Sequence, residues 1–536
     1  MNIKLLDCTL RDGGYNNDWE FGNDALINIF ERSLSSGVEY IEVGFIDDRR
    51  TYDKNRCIFP DTASARKIWG KIDKGNAKVV AMIDYGTCDL SRIESRKDSY
   101  IDGIRVIFKM ELMHEALDYC AKIKELGYIV FAQGVSFTTY TDEKLGEIVG
   151  LLNKIKPYAF AIVDTYGLMD SRIIEHYYSY LDKHLDSGIS IGFHAHNNFQ
   201  LAFANCAELA RQHGSNPREL LLDGSIYGMG KGAGNAPLEL LVAFMNENCG
   251  AKYDINPILE AIDVNMLDLF KQLNWGYSLK SFISASNDCH PNYVSYLLNK
   301  KTLAVKSVNE ILLKIEQGPR KLHYDKKLIE QLYVDYQKKS LGGADNYEML
   351  AEAIGKRKLL IIGPGKSLVG AKDAIITYVQ NECPLVMSVN FIPELLEVDY
   401  LFLTNSKRYV QQSSTINSAV GKTKIIATSN VTRAIGSFDF TLDYEALIDR
   451  TAVFMDNSFI MALKVMVKTG VTEVALAGFD GYSLSNESDY FTSKMEYEFS
   501  KRMGQEINGN VNKTLAEMKP KLDIKFITPT LYVPVA

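Results

Sequence analysis

The chain has 536 residues, 46% of them hydrophobic and 24% charged, with a formal net charge of −7. That length exceeds one ordinary domain, and the composition is that of a globular protein. The mild negative charge argues against nucleic acid as a general partner, and no run approaches the roughly 18 apolar residues of a membrane span.

No secretion signal is legible ahead of the first strand, and the eight cysteines show no C-x-x-C spacing. Reduced thiols and a cytoplasmic location are therefore expected. In chain order, strands are predicted over 3–6, 40–45, 78–83, 103–108, 129–135, 160–163, 190–193 and 220–222. Between them, stretches such as 23–35, 113–126 and 142–155 carry apolar residues at three- and four-residue spacing and read as amphipathic helices. Eight strands alternating with helices predict a (β/α)8 barrel over 1–290 rather than an open doubly wound sheet.

The first strand runs directly into Asp7-Cys8-Thr9-Leu10-Arg11-Asp12-Gly13-Gly14. Two carboxylates and an arginine at a strand end are poor candidates for core. Glu42 lies inside the second strand, Arg105 and Lys109 flank the middle of the fourth, Gln133 ends the fifth, and Asp164-Thr165 ends the sixth. A charge inside an apolar strand is expensive to bury unless paired. An internal ion-pair network and substrate contact both remain open, with Glu42 and Asp164 read as supports around a site.

The seventh strand ends in Gly192-Phe193-His194-Ala195-His196-Asn197-Asn198. Residues two apart on a strand face one side, so both imidazoles can point at one object. Without a nearby cysteine, such a pair suits a divalent metal held by nitrogen and oxygen, although two polar residues packing at a strand end are an equal alternative. A barrel gathers distant strand ends at one face, so Asp12 can complete a ligand set with His194 and His196, leaving positions for substrate and water. After the eighth strand, residues 223–239 form a glycine-dense loop, weak evidence for an anion site that its position in a barrel strengthens.

Residues from about 250 to 340 read as mostly helical, with 291–344 a helical extension and linker. The α/β pattern restarts at a strand over 358–362, followed by Gly363-Pro364-Gly365-Lys366-Ser367-Leu368, and further strands are predicted over 385–389, 400–403, 424–427 and 473–477. This marks a second α/β domain over 345–536. The turn is neither a P-loop nor a G-x-G-x-x-G fingerprint, yet its amides could face a phosphate.

Taken together, Asp7-x-Thr9-Leu10-Arg11-Asp12-Gly13, His194-Ala195-His196-Asn197-Asn198 and Gly232-Ala233-Gly234-Asn235-Ala236-Pro237-Leu238-Glu239 resemble the HMG-CoA-lyase-like superfamily of metal-dependent TIM barrels. The last motif is most similar to the 4-hydroxy-2-oxovalerate aldolase branch. The resemblance implies a divalent metal, Mn²⁺, Mg²⁺ or Zn²⁺, on Asp12, His194 and His196. Arg11 is implied to stabilise an enolate, and Asn198 and Asn235 to lie around the substrate.

Two departures bear on mechanism. The aldolase branch carries a histidine base where Tyr15 stands here. Acyl-CoA lyases carry a cysteine in the glycine-rich loop, and 228–234 contains none. The group that deprotonates the substrate hydroxyl is unassigned among Tyr15, Lys109, His290 and Tyr293.

The second domain resembles a Rossmann-like group that includes sialyltransferase-like and pterin diphosphokinase-like proteins. The carrying residues are Gly363–Leu368, Ser388-Val389-Asn390 and Ala475-Leu476-Ala477-Gly478-Phe479-Asp480-Gly481. That likeness implies a nucleotide or phosphate-bearing ligand near Gly363, Gly365, Ser367, Asn390 and Asp480. The leading expectation is an aldolase-type lyase on a small 2-oxo acid, acting as a homo-oligomer, with bacterial surface-sugar biosynthesis as its context. The alternatives are a Claisen-type acyl-CoA synthase at the same site, and a glycosyl- or phosphoryl-transferase in the second domain with the barrel as scaffold.

Overall fold

The computed structural model describes residues 2–299, 303, 305–316, 324–337, 344–394, 396–419, 421–431, 437–449, 452, 454–483, 489–491 and 498–532. Of the linker expected over 340–345, residues 340–343 lie outside them, and 344–345 begin the helix Ala344–Ile354. The chain divides into two compact units, Met1–Pro291 and Asn292–Ala536.

The first unit is a closed parallel barrel. Its strands are β1 (Ile3–Asp7), β2 (Tyr40–Ile46), β4 (Lys78–Asp84), β5 (Gly103–Phe108), β6 (Ile129–Gly134), β7 (Ala159–Asp164), β8 (Ser190–Ala195) and β9 (Leu220–Gly224), with the two-residue β3 (Ile58–Phe59) beside β2. The order is β1-β9-β8-β7-β6-β5-β4-β2-β3, and a further β1–β2 pairing, Leu6 opposite Tyr40, closes the ring. These strands are buried on both faces, which is why they read as near-continuous apolar runs such as Ala159-Phe160-Ala161-Ile162-Val163. Helices such as Asn23–Ser36, Asp142–Ile155 and Ser171–His184 surround the strands. Asp170 at the N-cap of the last of these accepts from the Arg172 and Ile173 amides, satisfying donors the helix cannot.

Inside the ring, Leu6, Tyr40, Val80, Phe131 and Leu221 fill one end. The polar residues noted in the sequence occupy the other. A register shift in β2 between Glu42 and Phe45 marks a bulge, and Gly44 within it has φ +140 and lies so close to Cys57 that a Cβ would meet the Cys57 carbonyl oxygen at 1.8 Å. Bulges bend a strand and re-aim its side chains, and here β3 adds along the bent segment, with Phe45 donating to Cys57 O at 3.0 Å.

The second unit is built on a seven-stranded, all-parallel sheet. Its strands are β10 (Leu359–Ile362), β11 (Leu385–Val389), β12 (Tyr400–Leu403), β13 (Lys424–Thr428), β14 (Phe440–Leu442), β15 (Glu473–Ala477) and β16 (Asp523–Phe526), in the order β14-β13-β12-β11-β10-β15-β16. The order reverses direction at β10, between β11 and β15. Apolar clusters cover both faces, one around Phe402, Ile426, Phe459 and Leu476, the other around Leu360, Ile362, Val386 and Phe391. All eight cysteines are free thiols. Among the described residues no helix is long and apolar enough to cross a membrane.

Candidate active site

Asp7 ends β1 and does not face a ligand. Its carboxylate accepts from the Thr9 amide at 2.9 Å, from the Thr9 hydroxyl, and from Ser33 Oγ at 2.5 Å. Those bonds fix the turn into the short helix Thr9–Asp12, while Thr9 Oγ1 accepts from the Ile226 amide at 2.7 Å, tying this turn to the loop after β9. The turn presents Arg11 and Asp12, both buried, to the barrel mouth.

There Asp12 meets His194 and His196 from the end of β8. One ligand atom from each of the three lies within 4.8 Å of the others. His194 Nδ1 pairs with Asp223 Oδ2 at 2.9 Å, which leaves its other ring nitrogen for the cluster. His196 Nδ1 is buried and without a hydrogen-bond partner, 3.9 Å from Asp12 Oδ2. Burial pushes the His196 imidazole down to about 4, against the pull of Asp12, so it is neutral at physiological pH. Burial by itself would raise the Asp12 carboxyl, but Arg11, helped by both imidazoles and Asn235, overrides it and holds the group well below the usual carboxylate range. One ionised carboxylate and two imidazoles, one neutral with an unpartnered nitrogen and one oriented by a carboxylate behind it, fit a divalent cation.

Arg11 is held on two sides. Nε donates to Glu42 Oε2 at 2.8 Å and Nη1 to Asp12 Oδ1, whereas Nη2 is buried and has no partner. Glu42 Oε2 also accepts from Arg105 Nη1 at 2.8 Å, and Arg105 Nη2 donates to Asp223 Oδ2, the carboxylate that orients His194. With its amide oxygen turned inward, Gln133 accepts from Arg105 Nε at 2.6 Å. An unbroken buried chain, Arg11–Glu42–Arg105–Asp223–His194, therefore links the arginine to one imidazole through the barrel interior. Each charge in it has an opposite partner, the condition for burying ions at all, since removing one member of such a set typically costs about 3–5 kcal/mol.

The glycine-rich loop after β9 serves the protein's own carboxylate. Lys231 N donates to Asp12 Oδ2 at 3.1 Å and Asn235 Nδ2 donates to the same oxygen at 2.8 Å. Ala233 N donates to Asn198 Oδ1 at 2.9 Å, and the Gly228, Met229, Gly234 and Asn235 amides donate to backbone carbonyls. The anion this loop was expected to hold is thus Asp12. A Cβ on Gly230 would lie 2.5 Å from Asp12 Oδ2 and 2.4 Å from Asn235 Nδ2, so the close approach requires glycine there.

The other expected residues divide. Glu42 and Asn235 touch the cluster directly or through Arg11. Asn198 clamps two loops, accepting from Ala233 N and donating to the Tyr166 carbonyl at 2.9 Å. Asp164 accepts from the Leu168 amide at 2.8 Å and the Met169 amide at 3.1 Å, holding the turn after β7, and burial pushes it up to about 6. Tyr15 stands at the mouth, 40% exposed, with its ring against Trp19 and Phe45, and desolvation raises its phenol above the ordinary value. Lys109 is exposed after β5, near Asp84. His290 is the next-to-last residue of the first unit, while Tyr293 belongs to the second, buried, its hydroxyl accepting from the Asp325 amide at 2.9 Å. Two site residues escaped the sequence reading. Asp223 was visible only as the first residue of the glycine-dense loop after the eighth strand. Lys231 was one lysine in a glycine run.

In the second unit, the C-terminal ends of β10, β11 and β15 open into a cleft lined by Gly365, Asn390, Asn405, Phe459, Asp480 and Tyr490, among others. The backbone amides of the turn after β10, expected to face a phosphate, are spent within the protein. Gly363 N donates to Ala477 O, Gly365 N to Gly478 O and Lys366 N to Asp489 O, and Ser367 N donates to Asp480 Oδ2 at 2.7 Å. Pro364 has no N–H, and Ser367 Oγ also binds Asp480. The carboxylate of Asp480 fills the place of the anion. Asn390 bonds to Thr404 Oγ1 at 3.1 Å and Ser458 Oγ at 2.8 Å, cross-tying the cleft wall.

A closed parallel barrel with a buried carboxylate and two imidazoles gathered at its strand ends has the active-site architecture of a barrel enzyme. The profile of the HMGL-like family matches residues 98–265. A 4-hydroxy-2-oxovalerate aldolase of Marinomonas sp. (strain MWYL1) is 30% identical over 280 residues, covering 50% of this chain and 79% of that protein. An oxaloacetate decarboxylase of Mycobacterium tuberculosis is 26% identical over 268 residues, covering 49% of this chain and 76% of that protein. Among solved structures, the HMG-CoA lyase of Brucella melitensis aligns with a TM-score of 0.40 and 16% identity, over 51% of this chain and 98% of its own. The chain belongs to the HMGL-like family.

Proposed function

We propose that the barrel is a divalent-metal-dependent aldolase that cleaves or forms a carbon–carbon bond in a 4-hydroxy-2-oxo acid. The observation that carries this reading is the unpartnered Arg11 Nη2 beside the Asp12–His194–His196 donor set. A divalent cation held by those three residues would supply Lewis-acid polarisation of the 2-oxo group. Arg11, pinned by Glu42 and Asp12, keeps Nη2 without a protein partner, suited to an oxygen on which negative charge develops. Because Glu42 and Asp12 fix its position beforehand, that donor needs no reorganisation during reaction. Tyr15 keeps its proton at neutral pH and is suited to donate a hydrogen bond to the oxygen of the departing or arriving carbonyl fragment. The names of the aldolase and decarboxylase relatives support a 2-oxo acid as substrate class.

The test is deuterium exchange at C3 of pyruvate, together with pyruvate release from 4-hydroxy-2-oxo acids. Both are expected in the metal-loaded full chain, lost on chelation, and restored by Mn²⁺, Mg²⁺ or Zn²⁺. Exchange that ignores chelation sinks the reading, and turnover that requires an acyl-CoA and releases CoA replaces it with the Claisen alternative.

We also propose that the cleft of the second unit binds a small ligand, a nucleotide being the first candidate. Its support is position, at the crevice where the strand order reverses, and a lining of aromatic rings with amide and hydroxyl groups. Since Asp480 occupies the glycine turn, any phosphate is held elsewhere in the cleft. Calorimetry on the full chain with nucleosides, nucleotides and nucleotide sugars is expected to give binding that survives removal of the phosphates. A requirement for phosphate, weakened by Ser367→Ala, would reverse the assignment of the turn, and no heat from any of them would end the proposal.

A further inference from the structure

We propose that Lys231 selects substrates that carry a second anionic group, a carboxylate or a phosphate, at the end remote from the 2-oxo acid. This rests on the barrel reading above and adds a substrate class to it.

Lys231 is anchored and aimed. Its amide is bonded to Asp12 Oδ2, so its main chain cannot drift from the cluster. Its ammonium stands 5.2 Å from the centre of the Tyr15 ring, itself packed 4.9 Å from Trp19 and 5.8 Å from Phe45. Its charge is felt by Asp84 at the end of β4 and by His196 just after β8.

The ammonium lacks an acidic partner. Among the described residues no carboxylate forms an ion pair with it. Asp12, the acid nearest in the fold, is already bonded to Arg11 and Asn235. Nearby, Arg49 takes Asp47 with two hydrogen bonds, at 2.7 and 2.6 Å, and Asp84 feels Lys109 more than Lys231.

A 2-oxo acid whose head is taken by Arg11 and by a cation on the three ligands would extend its far end toward the barrel mouth, the face of a packed barrel where active sites lie. An anion there gives Lys231 the charge-assisted partner the protein withholds. A flexible point charge suits a carboxylate or a phosphate oxygen without demanding the planar match of a guanidinium.

The test uses the metal-loaded full chain and three 4-hydroxy-2-oxo acids whose far ends are a neutral alkyl group, a carboxylate and a phosphate. The wild type is expected to favour one of the two anionic substrates over the neutral one by on the order of 10–10² in kcat/KM, the usual size of a charge-assisted contact; which one it favours distinguishes the two sources. Lys231→Met is expected to erase most of that preference, Lys231→Arg to keep part of it, and metal content reports that each variant is folded. A wild type that treats the neutral substrate equally or better overturns the proposal, as does a Lys231→Met variant with the preference intact. Wild-type pyruvate C3 exchange separates the failures: exchange without selectivity ends this inference alone, and absence of exchange ends both.

Discussion

His194→Ala combined with His196→Ala is expected to strip the barrel of its divalent metal, from about one ion per chain to near none, and to abolish pyruvate exchange with it. Two of three protein ligands go, and the remaining Asp12 is already engaged by Arg11, Asn235 and the Lys231 amide. A lone carboxylate in that state cannot compete with water for the ion. Elemental analysis of the purified protein measures the loss, and circular dichroism with a thermal melt shows whether the barrel survives. Asp223→Asn is the graded companion. It keeps all three ligands but alters the hydrogen bond that fixes the His194 ring, so metal affinity should fall roughly 10–100-fold rather than vanish. Full metal content in the folded double variant would show that the cluster is not the metal site. An Asp223→Asn protein with unchanged affinity would show that the buried chain behind His194 serves stability alone.

Arg11→Ala is expected to lower kcat by on the order of 10²–10³, the cost of losing one pre-positioned donor to a developing negative charge. The reason lies in Nη2, a buried NH2 group given no partner by the fold, beside Nε and Nη1, each of which donates to a carboxylate. An interaction that strengthens as charge develops changes kcat more than ground-state binding. Arg11→Lys should recover little, because a compact ammonium lacks the planar fork that spans Glu42 and Asp12 from separate nitrogens and leaves a third nitrogen for substrate. Metal content is the control, since Arg11 also holds the Asp12 carboxylate ionised. A raised KM with kcat intact would make Arg11 a substrate anchor, and loss of the metal would make it a support of the cluster.

The barrel was legible because its signal is local. Eight buried parallel strands read as short apolar runs, and strand period placed His194 and His196 on one side without any knowledge of the rest. In the second unit, the strands that fill the middle of the sheet were legible for the same reason. The two at its edges were not. Phe440–Leu442 is three residues long, and Asp523–Phe526 alternates exposed with half-buried positions, so neither carries an apolar run. The β3 segment escaped likewise, since two residues have no period.

The partners of the charges were beyond the sequence. Glu42 could as well have faced substrate as Arg11, 31 residues away, and Arg105, 63 residues away. Asp223 reaches His194 only because β8 and β9 lie side by side, and Asn235 reaches Asp12 across 223 residues only because β9 returns to β1 and the ring closes. Both glycine-rich turns offered amides that local geometry would direct to a ligand. The tertiary structure instead supplies a carboxylate to each, Asp12 to the loop after β9 and Asp480 to the turn after β10. Residue type and spacing determine which groups stand at a strand end. Whether a charge there is spent on the protein or left for a ligand depends on which distant strand the sheet brings beside it.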